Sequence, residues 1–336
     1  MMSPHRKILF LDPVFKDNIW GGTRLRTDFG YSVEGAHIGE CWAVAAHPGG
    51  DNAVHAFPDG DGVLTGKTLR TLYKENPELF GNPESAEFPL LVKIIDAKED
   101  LSVQVHPDDE YAAAHENGAF GKTECWYVLD APEDGALVIG TNAGNKEELR
   151  DMVENGRFQK LIREVPVRKG DFIQIDPGTV HAIHGGFLIL ETQQNSDITY
   201  RLYDYGRLDS GKPRALHLKE SMDVIRVPGK DPEACVIRKD AIEAKLRDNA
   251  LTLLYGCPYY RVFELRVNGK TSFSQDFPFL NMSVIEGRGT VRLSEDPAPW
   301  EGKVLEGGMH FILPSGFGTV ELQGHMRIVC STTGGN

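Results

Sequence analysis

Leu101-Ser-Val-Gln-Val-His-Pro-Asp-Asp-Glu110, a small-residue excursion, and then Gly121-Lys-Thr-Glu-Cys-Trp-Tyr127 form the stretch from which the rest of the chain is read. Alternate residues of an extended strand share a face, so Gln104 and His106 point the same way. Glu124 opens a second apolar, aromatic run. Farther on, Asp176-Pro-Gly-Thr-Val-His181 places another imidazole just after a tight turn. Zinc takes four ligands drawn from imidazole, carboxylate and thiolate, and a catalytic site keeps a position open. Gln104, His106, Glu124 and His181 supply two imidazoles, one carboxylate and a neutral amide oxygen. Only Glu124 offsets a divalent charge, so the centre would stay positive and attract an oxygen-rich anion. Taken singly, each residue also reads as an ordinary buried, hydrogen-bonded side chain.

Around this stretch the pattern is mainly β. Phe88 to Asp96 is apolar on both faces apart from Lys93, as in an interior strand. Gly170 to Gly178 and Phe187 to Thr192 read as further strands, and short strands separated by Gly and Pro dominate from Leu251 onward. Helices are expected at Lys67–Tyr73, after the capping-box sequence Asn145-Lys-Glu-Glu148, and at Leu218, Met222 and Ile225. Residues 228–250 are polar and read as a linker, and the tail from Ser331 as frayed.

A weak internal repeat aligns Gly170-x5-Asp176-x-Gly178-x-x-His181 with Gly308-x5-Pro314-x-Gly316-x-x-Thr319. It also aligns Glu124-Cys-Trp-Tyr-Val-Leu-Asp with Leu280-Asn-Met-Ser-Val-Ile-Glu. Glu124 and His181 then correspond to Leu280 and Thr319, so only the first unit carries metal ligands. The expectation is two related β-barrels, a metal-bearing domain over 1–230 and a metal-free β domain over 231–336.

With 336 residues, about two domains fit. A net charge of -13 argues against a nucleic-acid surface, which concentrates Lys and Arg. No run approaches the roughly 18 apolar residues that span a membrane, and Ile8–Leu11 is too short for a signal-peptide core. Five scattered cysteines without a C-x-x-C pair fit a reducing, cytoplasmic setting.

In combination the motifs resemble the short bacterial form of type I mannose-6-phosphate isomerase, a zinc-dependent cupin family. The matching pieces are Ile19-Trp-Gly-Gly22, Gly39-Glu-Cys-Trp42, Pro89-Leu-Leu-Val-Lys-Ile-Ile95, Leu101–Asp108, Gly121–Trp126, Pro177–His181 and Glu191-Thr-Gln-Gln-Asn-Ser-Asp-Ile-Thr-Tyr-Arg201. The resemblance implies two cupin-like jelly-roll β-barrels and one zinc per chain on Gln104, His106, Glu124 and His181. It implies catalytic positions at Arg201, Lys122, Glu191 and Asp197, and substrate contacts at Ser102 and Lys93, with Arg207 as a secondary phosphate residue. Many long-form relatives carry His-Lys-Pro-Glu where this chain has Gly121-Lys122-Thr123-Glu124, so a mechanism using that extra histidine does not transfer.

The implied reaction interconverts mannose 6-phosphate and fructose 6-phosphate through an enediol, with a small sugar phosphate as partner and a monomer or weak homo-oligomer as the assembly. A zinc-bound ligand is a poor base, which leaves Lys122, Glu191, Asp197 and His184 as acid/base choices. His184 and His47 also read as structural, and Arg201 as a surface ion pair with Asp204. A metal-dependent cupin oxygenase would want two histidines, one carboxylate and open positions. A sugar-sensing cupin would lack the Lys122 and Arg201 chemistry.

Overall fold

A computed structural model describes residues 4–57, 64–294 and 302–335. It is built from three large antiparallel sheets, none closed on itself among the described residues. A seven-stranded sheet runs in the order Val236–Ile237, Phe172–Ile175, Glu124–Asp130, Leu188–Gln194, Leu90–Asp96, Ile38–Val44, Val14–Gly22. A five-stranded sheet runs Ile162–Pro166, Ala136–Thr141, His181–Ala182, Val103–Val105, Tyr200–Tyr203. The third sheet is built around the long strands Tyr260–Gln275, Phe279–Leu293 and Gly318–Thr333.

The seven-stranded sheet is covered on both faces, which explains why every residue of Leu90–Asp96 is buried. On one face Ile95, Trp126, Val128 and Ile189 meet Leu137 and Ile139 of the five-stranded sheet. On the other, Ile94, Tyr127 and Leu190 join Tyr260, Val262 and Val329 of the third sheet. The alternation along Glu124–Asp130 therefore sends Glu124, Trp126 and Val128 toward the five-stranded sheet.

The third sheet is not assembled from the C-terminal third alone. Ile8–Asp12 pairs with His310–Pro314 through Leu9↔Ile312, and Ala53–Phe57 pairs with Ile8–Asp12 at its edge. The boundary expected at 230/231 is thus bridged by main-chain hydrogen bonds, which sequence periodicity does not register.

The repeat seen in the sequence has a counterpart in strand register. Glu124↔Ile175, Trp126↔Ile173 and Tyr127↔Phe172 in one sheet become Leu280↔Leu313, Met282↔Phe311 and Ser283↔His310 in the other. The aligned glycines 170 and 308 both have φ of 90°, and 178 and 316 have φ of 81° and 67°, a backbone region where a Cβ is strained.

Helices form at Leu69–Glu75, Lys146–Glu154 and Leu218–Val224. Asn145 caps the second by accepting from Glu148 N at 2.9 Å, while Glu148 reaches back to Gly144 N rather than to Asn145. A further helix, Asp109–His115, lies in the small-residue excursion, capped by Asp108. Residues 228–250 are not a free linker. Val236–Ile237 pairs with Phe172–Ile175, and the helix Lys239–Lys245 buries Ile242. The tail is ordered as far as Thr333, which pairs with Tyr260, and Asn336 lies outside the described residues. All five cysteines are free thiols. Among the described residues no helix is long and apolar enough to cross a membrane.

Candidate active site

The candidate ligands converge where the five- and seven-stranded sheets face each other. His181 pairs in register with Gln104, and Gln104 with Arg201, so three candidate site residues lie side by side across the five-stranded sheet. Glu124 approaches from the opposite sheet. His106 Nε2 is 3.3 Å from Glu124 Oε2, His181 Nε2 is 3.4 Å from Glu124 Oε1, and the two Nε2 atoms are 3.1 Å apart. His106, Glu124 and His181 are buried and form a cluster with metal-ligand geometry.

The donor chemistry fits a cation. Each imidazole gives Nδ1–H to a backbone carbonyl, His106 to Ile198 O at 2.8 Å and His181 to Thr179 O at 2.9 Å. That fixes the tautomers and leaves two Nε2 lone pairs facing inward. Burial and the charge of Lys122 push His106 down to about 3, which keeps it neutral, and burial lowers His181. Burial works against ionisation of Glu124, yet Lys122, His106 and His181 hold its carboxyl well below the usual range. Glu124 Oε1 is buried without a hydrogen-bond partner. A cationic group already exploits this set: Lys122 Nζ lies 2.9 Å from His106 Nε2 and 2.5 Å from Glu124 Oε2. The Gln104 amide nitrogen is 3.2 Å from His181 Nε2, and rotation of that amide by half a turn presents its oxygen to the same point.

Beside this cluster a row of side chains crosses the seven-stranded sheet, because Trp126, Glu191, Lys93 and Trp42 are successive cross-strand partners. Trp126 Nε1 donates to Glu191 Oε2 at 3.0 Å, and Lys93 Nζ stands 3.4 Å from Glu191 Oε1 and 3.5 Å from Glu40 Oε1. Trp42 Nε1 holds the other oxygen of Glu40 at 2.8 Å. Burial opposes the Lys93 charge, but Glu40, Glu191 and Glu124 raise its pKa and keep the ammonium form. Burial and the neighbouring Glu124 charge raise Glu191 instead. Its Oε1 makes no hydrogen bond.

A cavity of about 230 Å³ opens over the cluster. Of the residues picked from the sequence, Lys93, Ser102, Gln104, Lys122, His181, Glu191, Asp197 and Arg201 line it, with His106 and Glu124 in contact beneath. Asp197 sits at the rim, its side chain 58% exposed and 3.7 Å from His47 Nε2. Arg201 is not paired with Asp204. It donates to Ser102 Oγ at 3.3 Å and Ala215 O at 2.9 Å, while Asp204 binds Arg207 and Arg214. Arg207 does not line the cavity. His184 lies by Asp100 and Glu164, also outside it. Glu40, Trp126 and Arg214 line the cavity and were not singled out by spacing. Glu40 belongs to the quoted Gly39-Glu-Cys-Trp42 piece, and its register opposite Ile95 is the signal that places it. A larger depression of about 570 Å³ lies around Asp108, Tyr111 and Arg226, where Arg226 pairs with Asp108 and Tyr111 donates to Asp223.

Comparison with known proteins gives a consistent picture. Residues 8–138 match the family model described as phosphomannose isomerase type I, catalytic domain, and residues 249–333 match mannose-6-phosphate isomerase, cupin domain. The chain is 48% identical to mannose-6-phosphate isomerase ManA of Bacillus subtilis over 324 residues, 96% of this chain and 98% of that protein. It is 42% identical to the mannose-6-phosphate isomerase of Streptococcus mutans over 96% of this chain and 97% of that one. A crystal structure of the mannose 6-phosphate isomerase from Bacillus subtilis superposes with a TM-score of 0.86 at 40% identity, covering 97% of this chain and 99% of that one.

Proposed function

The chain belongs to the type I phosphomannose isomerase family, and from that premise we propose that it interconverts D-mannose 6-phosphate and D-fructose 6-phosphate through an enediol, using one zinc ion per chain. The observation that carries this reading is the His106–Glu124–His181 cluster directly beneath a cavity lined by ammonium, carboxyl and guanidinium groups. The relatives are isomerases by name, which sets the oxygenase and sensor readings aside.

Zinc held by His106, Glu124, His181 and the Gln104 oxygen would supply positive charge against the oxygens of the reacting carbons. The remaining work falls to the chain. Glu191 Oε1 is the proton carrier we assign: it takes the C2 proton of the open-chain mannose phosphate and returns one to C1, while O1 gains and O2 loses a proton. Its raised pKa suits a group that must both accept and give, and Trp126 keeps Oε2 fixed so that Oε1 faces the cavity. Lys93 and Lys122 offer N–H donors to the oxygens. Arg201 presents permanent positive charge where the enediol oxygens become electron-rich. Asp197, exposed at the rim and facing His47, acts at substrate entry.

The division into a metal-bearing lobe over 1–230 and a metal-free cupin lobe over 231–336 is part of this reading, with Ile8–Asp12 and Ala53–Phe57 lent to the second lobe's sheet. The matched strand registers support it, with Leu280 standing where Glu124 does in the first lobe. Five free thiols suit a cytoplasmic enzyme.

The test is conversion of fructose 6-phosphate to mannose 6-phosphate before chelation, after it, and after zinc is restored. Activity should fall at least about tenfold and return with zinc. Indifference to chelation would reject the zinc requirement, and no turnover by zinc-loaded protein would reject the isomerase. Arg201→Met should lower kcat about 100-fold, the usual cost of one electrostatic stabiliser, with zinc content unchanged. Parallel loss of zinc and activity would make Arg201 a structural residue.

A further inference from the structure

Asp204 is buried and gathers two arginines from opposite arms of a hairpin. Leu208–Asp209 pairs with Lys212–Pro213, and the turn runs through Ser210 and Gly211 at φ of 51° and 81°, so positions 207 and 214 both return to the same carboxylate. Arg207 Nη2 donates to Asp204 Oδ1 at 2.6 Å. It also donates to the Asp100 carbonyl and packs 5.0 Å over the Tyr205 ring, which commits it away from the cavity. Arg214 makes a two-point contact, Nε to Oδ2 at 2.8 Å and Nη2 to Oδ1 at 2.6 Å. Its Nη1 has no hydrogen-bond partner among the described residues, and Arg214 lines the cavity.

Arg201 adds a third guanidinium. It sits opposite Gln104 in the strand register, at the metal end of the cavity, and its Nη1 bond to Ala215 O ties it to the residue next to Arg214. Among the described residues it has no carboxylate partner. Burial and then the charge of Arg214 lower its pKa, with Asp204 opposing them. Three guanidiniums against one carboxylate leave a formal surplus of two positive charges. A phosphate monoester carries about -1.5 to -2 near pH 7, so it neutralises this surplus, and a neutral sugar does not.

We infer that Arg214, presented by Asp204 with its Nη1 edge free, is the residue that seats the substrate phosphate and separates sugar phosphates from free sugars. This rests on the isomerase reading, and it leaves Arg201 for the reacting end beside Gln104. The two-point contact holds the guanidinium plane before substrate arrives, so little side-chain freedom is lost on binding.

The test uses zinc-loaded protein, fructose 6-phosphate kinetics and calorimetric titration with inorganic phosphate. Arg214→Gln keeps an N–H for Asp204 but no charge. It should raise KM and the phosphate Kd together by about 30-fold, the scale of one lost charged hydrogen bond, with kcat within about threefold. Arg214→Lys keeps the charge without the fork and should weaken phosphate about fivefold. A folded Arg214→Gln protein that binds phosphate and sugar phosphate as the wild type does overturns the assignment. If that variant fails to fold, unchanged phosphate affinity in Arg214→Lys overturns it. Should the wild type bind phosphate yet not turn over, the isomerase reading fails while the anion seat is still decided by the titration.

Discussion

Glu124→Gln should strip the protein of its metal and lower turnover by at least about 10³-fold, the scale expected when a site loses its electrostatic centre. Glu124 is the one carboxylate among the expected ligands, and it also carries the 2.5 Å contact to Lys122. An amide in its place leaves a divalent ion, the Lys122 ammonium and two neutral imidazoles with no nearby negative ligand. A fall in affinity of at least about 100-fold is expected, since even outer partners of a metal site are worth 10 to 100-fold. The readout independent of activity is thermal unfolding against zinc. At a zinc level 100 times the wild-type Kd the wild type gains about 2.7 kcal/mol. The variant at the same zinc gains only about 0.4 kcal/mol by the same relation. Equal zinc-dependent stabilisation of the two proteins would remove Glu124 from the ligand set.

The candidate ligands were legible because each sits beside a local signal: the strand alternation of Gln104 and His106, the aromatic run after Glu124, the turn before His181. What was not legible came from register between distant segments. Glu40 reaches the cavity only because its strand pairs with Leu90–Asp96, and Trp126 matters because Glu191 happens to lie opposite it. Arg207 and Arg214 look alike in sequence, and only the hairpin geometry at Asp204 points one into the cavity and the other away. The expected linker at 228–250 failed for a related reason. Its charges lie on the outside, and the widely spaced Val236, Ile242 and Leu246 still provide enough buried contact to dock it. The helix Asp109–His115 carries its signal in the Asp108 cap, the acidic first turn and the helix-favouring alanines, and it is too short to show an apolar periodicity.

The same register bears on how charge is divided. The proposed first lobe carries three groups that need partners: the candidate cation site, Lys93 and the arginine cluster. Carboxylates are shared among them, with Glu191 standing near both Lys93 and the Glu124 charge. In the aligned part of the second lobe Leu280 and Thr319 replace ligand-type residues, and Leu280, Met282 and Phe311 pack in an apolar core. On the proposed reading the reacting end of the substrate therefore meets the side that carries Glu124 Oε1 and Glu191 Oε1, two buried acceptors without hydrogen bonds.

Glu191→Gln should lower kcat by about 10³-fold, within the range that a positioned proton-transfer group contributes, while zinc content stays at one per chain. The glutamine is close in shape and can still accept from Trp126 Nε1, so the cross-strand row is preserved. It cannot take a proton from carbon at neutral pH. Lys93 keeps Glu40 at 3.5 Å as its partner, which limits the structural damage. The decisive measurement is exchange of solvent deuterium into C1 or C2 of the sugar phosphate. A variant that binds fructose 6-phosphate with near wild-type affinity but exchanges no deuterium identifies Glu191 as the proton carrier. If exchange persists at the wild-type rate while net isomerisation slows, the proton moves through another group, and Lys122 and Lys93 are the buried amines at the cavity wall to test next.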